Sequence, residues 1–307
     1  MHVIKDRHHA AVRTIAVVTV VTLGLVGMLG GSVSAGGSDP TYVLFEVPGA
    51  TGTQANSIND RGDIAGEYTL PASLSAAFIM SKDGSLETFR VEGSRSTAAS
   101  SINNRGDVAG SFIYPGGLPK GWLRVDGVLS VLEVPGSAST AIRSINDAGE
   151  VTGFYRTVAG GGARGFKYRD GQFSFFDVPG AGATTPSRIN NRGDVVGFWA
   201  VNCGCGGAPP TPNKGFLLRD GEFTLFEFPN SFETTGLGIN EQGDIVGRYD
   251  DLRRVRHAYV LDRHGAYETF DLADAMTTSA LDINARGDIV GFIRRAGDGK
   301  FVSFFRH

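Results

Sequence analysis

The chain has 307 residues, with 29 Lys and Arg against 32 Asp and Glu and a formal net charge of −3. An acidic balance speaks against nucleic acid or an anionic membrane surface as the main partner, because both demand a basic face. Length alone allows one large domain or two ordinary ones, and internal repetition decides for one.

The N-terminus joins a basic stretch (Lys5, Arg7, Arg13) to an apolar run from Thr14 to about Leu29 and a small-residue site, Val33-Ser34-Ala35. That order predicts a Sec-type signal peptide over residues 1–35, cleaved after Ala35, with 36–40 as a short linker. A membrane anchor is the alternative, but the run is shorter than a spanning helix needs, and no cysteine follows it to carry a lipid. Cleavage leaves no integral membrane segment and a mature chain at a net charge of about −5, destined for the periplasm, the medium or the cell surface.

From residue 41 the chain reads as repeats of β-strands. The segment Ser57-Ile58-Asn59-Asp60-Arg61-Gly62-Asp63-Ile64-Ala65-Gly66 recurs around Ile102, Ile145, Ile189, Ile239 and Ile283, at spacings of 44, 43, 44, 50 and 44. Such spacing suits a four-stranded propeller blade. In the third unit the four strands fall at 141–146, 150–156, 164–169 and 172–178. Asn-x-x-Gly-Asp/Glu joins the first two strands, and Asp-Gly, as at Asp83-Gly84, Asp170-Gly171 and Asp220-Gly221, joins the last two. Each second strand holds one glycine (Gly66, Gly110, Gly153, Gly197, Gly247, Gly291), expected where blades converge on the axis. The sixth unit stops after its third strand, while residues 42–47 copy the missing fourth strand. The expected fold is all-β: one six-bladed propeller over 41–307, closed by that N-terminal strand, which leaves no bare edge.

With those residues in view, the repeat resembles the HAF-type extracellular repeat of bacteria. Ile239-Asn240-Glu241-Gln242-Gly243-Asp244-Ile245-Val246-Gly247 carries its first half and His257-Ala258-Tyr259-Val260 its second; the other units replace the His-Ala pair. The resemblance implies a secreted or cell-surface bacterial protein and brings no shared reaction.

Most of the candidate chemistry has a structural explanation. The acids Asp63, Asp107, Glu150, Asp194, Asp244 and Asp288 occur once per unit in one turn, so they form a ring and lack the spacing of a calcium loop. Bases opening the third strand fall opposite acids closing the fourth: Lys120 with Glu133, Arg164 with Asp177, Lys214 with Glu227 and His257 with Asp271. The same construction puts Ala77 opposite Arg90 in the first unit, and Glu46 supplies the acid of the sixth. Cys203 and Cys205, in the insertion of the fourth unit, are expected to form a local disulfide; free thiols are the alternative, and a metal would need two more ligands. No metal or other cofactor is expected, since no Ser-elbow, His-x-x-x-His or phosphate-loop motif occurs.

What remains is the face where second-to-third and fourth-to-first connections emerge. There Arg253, Arg254 and Arg256 lie in one loop and Arg294 and Arg295 in the next unit. Guanidiniums outside the cross-strand pairs suit a carboxylate-bearing glycan or peptide as extracellular ligand. The sequence is therefore read as a monomeric, non-catalytic binding or scaffold module. The alternative is a secreted lyase, hydrolase or lactonase with its site at the channel mouth. An enzyme should bring acids or a His from several units to the channel mouth, and a bound ion or three ionisable side chains converging on the axis would sink the binding-module reading.

Overall fold

A computed structural model describes residues 41–307 other than Gly206 and Ala208, together with three short extended pieces, Arg13–Thr14, Val17–Val20 and Met28–Leu29. The expected leader and linker thus lie almost wholly outside the described residues. The described chain is all-β, in four-stranded antiparallel sheets, with one 3₁₀ turn at Pro71–Ser73. No described helix is long and apolar enough to cross a membrane.

Each sequence repeat is one up-and-down meander. In the third unit the strands Ser139–Ile145, Val151–Arg156, Arg164–Arg169 and Gln172–Phe176 pair in that order. In the last sheet the fourth place is taken by Tyr42–Phe45, which pairs antiparallel with Phe301–Arg306. That strand also carries the crossover lock of the other units. Val47 N–H donates to Thr53 Oγ1 as Val91 does to Thr97 and Val134 to Thr140, so the end of each fourth strand is tied to the next first strand.

The aromatic residue that follows the Gly or Ala of the third strand fills the core of each sheet; Phe78, Trp122, Phe166, Phe216, Tyr259 and, on the equivalent Ser-Phe pair, Phe304 are all fully buried. Each pairs directly with the second-strand glycine of its own unit, Trp122 with Gly110 and Phe304 with Gly291 for example. A Cβ on Gly110 would lie 2.0 Å from Ala98 O and 2.7 Å from the Trp122 ring. The expected reason for these glycines is thus corrected: the close approach comes from their own sheet, not from a neighbouring unit.

The crowding carbonyl, Ala98 O at Gly110, comes just before a β-bulge in the first strand. The register slips between Ala55 and Ser57, Ile142 and Ser144, Pro186 and Arg188, Gly236 and Gly238, and Ala280 and Asp282, and at the same level between Ala109 and Gly110 of the second unit. At this level one residue per unit is left out of the ladder, Asn56, Ser100, Arg143, Ser187, Leu237 and Leu281, and the sixth unit skips Met276 as well. A bulge turns its extra residue and carbonyl out of the sheet.

The expected ion pairs form in four units: Lys120–Glu133 at 3.0 Å, Arg164–Asp177 at 2.8 Å, Lys214–Glu227 at 2.6 Å and His257–Asp271 at 2.6 Å. In the first unit the register differs by one, with Ala77 opposite Phe89 and not Arg90. The reason is the turn. Asp126, Asp170 and Asp220 share positive φ with the glycine after them, as a two-residue hairpin loop requires, whereas only Gly84 has it in the first unit and the loop lengthens to Ser81–Ser85. Glu46 meets Arg295 at 3.6 Å; the strand pairing places it beside Val302, where the sixth unit has no base.

Candidate functional site

The Asn-x-x-Gly-Asp turns make one end of the assembly. Asn103 Oδ1 accepts the N–H groups of Arg105 and Asp107 at 3.0 and 2.9 Å, and its Nδ2 donates to Asp107 Oδ2 and to the Asn146 carbonyl of the next unit. The same link runs from Asn59 to Asn103, Asn146 to Asn190, Asn190 to Asn240, and Asn284 back to Asn59. Burial alone would raise the carboxyls of Asp63, Asp107, Asp194 and Asp288. Hydrogen bonds from the turn Asn and Arg side chains, with Arg219 leading at Asp194, outweigh it and hold all four below their ordinary value.

The bulges meet at the axis, and there the side chains differ. Arg188 reaches from the fourth unit across to the others. Its terminal nitrogens donate to the carbonyls of Asn56 at 2.6 Å, Ser100 at 3.0 Å, and Arg143 and Leu281 at 3.4 Å, all of them bulge residues. Its Nε lies 3.0 Å from Asp282 Oδ1, with the two side chains 8% and 5% exposed. Asp282 Oδ2 in turn accepts from Ser57 Oγ and Ile58 N–H. Burial pushes this guanidinium down and this carboxyl up, each against the pull of its partner. Gly238 leaves the room between them; a Cβ there would lie 2.7 Å from Asp282 Cα.

Arg188 divides the axial space. A 70 Å³ pocket lies among the turn residues, and a 270 Å³ chamber lies on its other side. The chamber is lined by Glu67, Arg143, Arg188 and Arg248, with Gln54, Asn56 and Ser100 among the neutral groups. Arg143 stacks on Phe154 with Cζ 5.3 Å from the ring centre, and its guanidinium makes no hydrogen bond among the described residues. Arg248 Nε is buried without a partner. Burial, then the nearby charge of Arg256, lowers Arg248 to about 10. Burial lowers Arg143, with Glu67 opposing. Burial likewise raises the Glu67 carboxyl, and Arg143 offsets this only in part.

Outside the chamber, a 670 Å³ vestibule is formed by loops of the second to fifth units, and Phe198 lines both cavities. Cys203 and Cys205, joined by a disulfide, form part of its wall. Of the loop arginines, only Arg254 lines it, in a tight turn at φ 66° with Cζ 3.8 Å above the Phe232 ring. The other four are not brought there. Arg256 pairs with Asp250 at 2.9 Å, Arg295 pairs with Asp298 at 2.6 Å, and Arg253 and Arg294 line neither cavity.

The axial residues were missed because they sit inside strands whose inner positions are otherwise small. A signal was present: the residue before the repeated isoleucine runs Ser57, Ser101, Ser144, Arg188, Gly238, Asp282, in which one base and one acid interrupt the small residues.

No family model and no curated protein sequence matches the chain. Among solved structures it resembles TolB from Acinetobacter baumannii, at 12% identity and a TM-score of 0.55, over 80% of this chain and 64% of that one. A fucose-bound lectin of Aleuria aurantia matches at 10% identity and 0.51, over 83% and 94%. A catalytically inactive virginiamycin B lyase from Staphylococcus aureus, solved with quinupristin, matches at 12% and 0.50, over 87% and 99%. All three are β-propellers, and that is the class to which the fold of this chain belongs.

Proposed function

We propose that the chain is an exported six-bladed propeller of the HAF-repeat type, closed by residues 42–47, which acts as a monomeric binding module for an acidic extracellular ligand. The closed ring is supported by the strand pairing of Tyr42–Phe45 with Phe301–Arg306 and by the bonds from Asn284 and Asp282 back to the first unit. Export rests on the basic, apolar and small-residue regions of 1–35.

The observation that carries the binding reading is the pair of cavities sharing Phe198, a vestibule with Arg254 outside and a chamber with three guanidiniums inside. Guanidiniums in a site of reduced water access recognise carboxylates by paired hydrogen bonds. An array of acidic and neutral glycans, probed with the wild type and with Arg254→Ala, tests it. Retention of acidic glycans that weakens in the variant is the expected result, and no retention by the wild type would overturn it.

A second reading, a lyase or hydrolase acting on an acidic glycan, is favoured by one observation. Four ionisable side chains do converge on the axis, more than the three set against a plain binding module, but three of them are arginines. Arg188 is engaged by the bulge carbonyls and Asp282, and a single acid, Glu67, its carboxyl raised by burial, is left as the proton carrier. Its lining includes no His and no Cys, and among the described residues no three His, Cys, Asp or Glu group to hold a metal. Release of unsaturated or reducing ends from a retained glycan, abolished in Glu67→Gln, would establish this reading in place of the first.

A further inference from the structure

We infer that the 270 Å³ axial chamber is a site for a monoanionic acid of one-ring size, such as a uronic acid or the terminal residue of an acidic glycan, with its carboxylate held by Arg143 and Arg248. The inference deepens the binding reading and depends on it only for the route of entry.

The donors decide which residues face the ligand. Arg188 is committed to the bulge carbonyls and to Asp282, so it serves as the floor. Arg143 and Arg248 line the same space with guanidiniums that no acceptor of the described chain meets, and the Nε of Arg248 is buried. Arg143 is exposed to the chamber and Arg248 half-buried, and a buried donor such as the Arg248 Nε costs a fold stability while it has no acceptor. A ligand that brings an acceptor and a negative charge removes that cost when it binds. Arg143 also lies over the Phe154 ring, with Cζ 5.3 Å from its centre, and its guanidinium offers a planar fork to a two-oxygen partner.

Charge and size narrow the class. Three guanidiniums against Glu67 and Asp282 leave a single positive charge, which a monoanion balances and a phosphate dianion exceeds. A volume of 270 Å³ is the space of about nine waters in the liquid, enough for one hydroxylated ring and too little for a run of peptide or polysaccharide. Gln54, Asn56 and Ser100 offer the neutral donors and acceptors that ring hydroxyls need, and Leu237 and Phe292 offer an apolar wall for a ring face.

Calorimetric titration of the full chain with sodium D-glucuronate, D-glucose, sodium acetate and inorganic phosphate tests the inference. One equivalent of glucuronate is expected to bind, with each of the other three weaker by about tenfold or more. Arg143→Gln and Arg248→Gln should each weaken glucuronate by about tenfold or more, with unchanged far-ultraviolet circular dichroism and a Tm at or above that of the wild type. A residue needed only for structure would lower the Tm. Glu67→Gln, which removes the competing negative charge, should bind glucuronate more tightly. Absence of glucuronate binding, equal binding of glucose, acetate or phosphate, or wild-type affinity in a folded Arg143 or Arg248 variant would each overturn it. The wild-type comparison decides the matter even if a variant does not fold. Array retention that still depends on Arg254 would then leave the vestibule reading standing without the chamber.

Discussion

The two ends of the axis are built from the same repeats and come out opposite in character. At the turn end every unit contributes the same Asn and an acid, nearly always Asp, and five hydrogen bonds link the Asn of one unit to the Asn of the next. On the far side of Arg188 the six bulge positions hold Asn56, Ser100, Arg143, Ser187, Leu237 and Leu281, and only the last two neighbouring units agree. Repetition here marks groups whose partners are supplied by the repeat itself. Departure from it has two outcomes: Arg188 and Asp282 partner one another, while Arg143 and the Nε of Arg248 are met by no acceptor of the described chain.

The contrast can be broken at its boundary. Asp282→Ala should have the largest effect, a loss of about 3–5 kcal/mol in urea unfolding, because it leaves Arg188 buried without its counter-charge. Survival of normal stability would mean that Arg188 finds water and that the floor of the chamber is open. Within the turn ring, Asn103→Ala should cost about 1–3 kcal/mol, since several buried groups lose their partners at once.

The same ring should set the acid limit of the fold. Asp63, Asp107, Asp194 and Asp288 are held below their ordinary value, so the stability they confer is complete above the unfolded Asp pKa of about 4 and is lost as pH falls through their lower folded values. Urea midpoints should be flat from neutrality down to about pH 4 and drop below it. A decline beginning well above that would shift the responsibility to other groups. The smallest effect is expected from Lys214→Ala, under about 1 kcal/mol, because the pair with Glu227 is solvated on both sides.

The repeat, the four-stranded unit and the four cross-strand ion pairs were legible because each depends on local spacing: a two-residue Asp-Gly turn dictates which base meets which acid in three units, and a longer loop centred on His264 does so for His257 and Asp271. The first unit escaped because Asp83-Gly84 looks like the others, while Ser81 and Ser85 close a longer loop around it. The bulges escaped for a different reason. Their extra residue is set by pairing between strands, and a run such as Ala141-Ile142-Arg143-Ser144 does not announce which member leaves the ladder. Charge on the loops was easy to see and largely already paired, as Arg256 with Asp250 and Arg295 with Asp298 demonstrate. Charge inside a strand was easy to pass over and is what lines the chamber.

The pairing of Tyr42–Phe45 with Phe301–Arg306 also orders events in time. The first strand of the described domain to be synthesised must wait for the last one before its sheet is complete, since Thr41 O receives the His307 N–H itself. Closure of a loop spanning nearly the whole domain is therefore a late and slow step. Until it happens, the chain keeps two unsatisfied strand edges, which is the form a chaperone would meet.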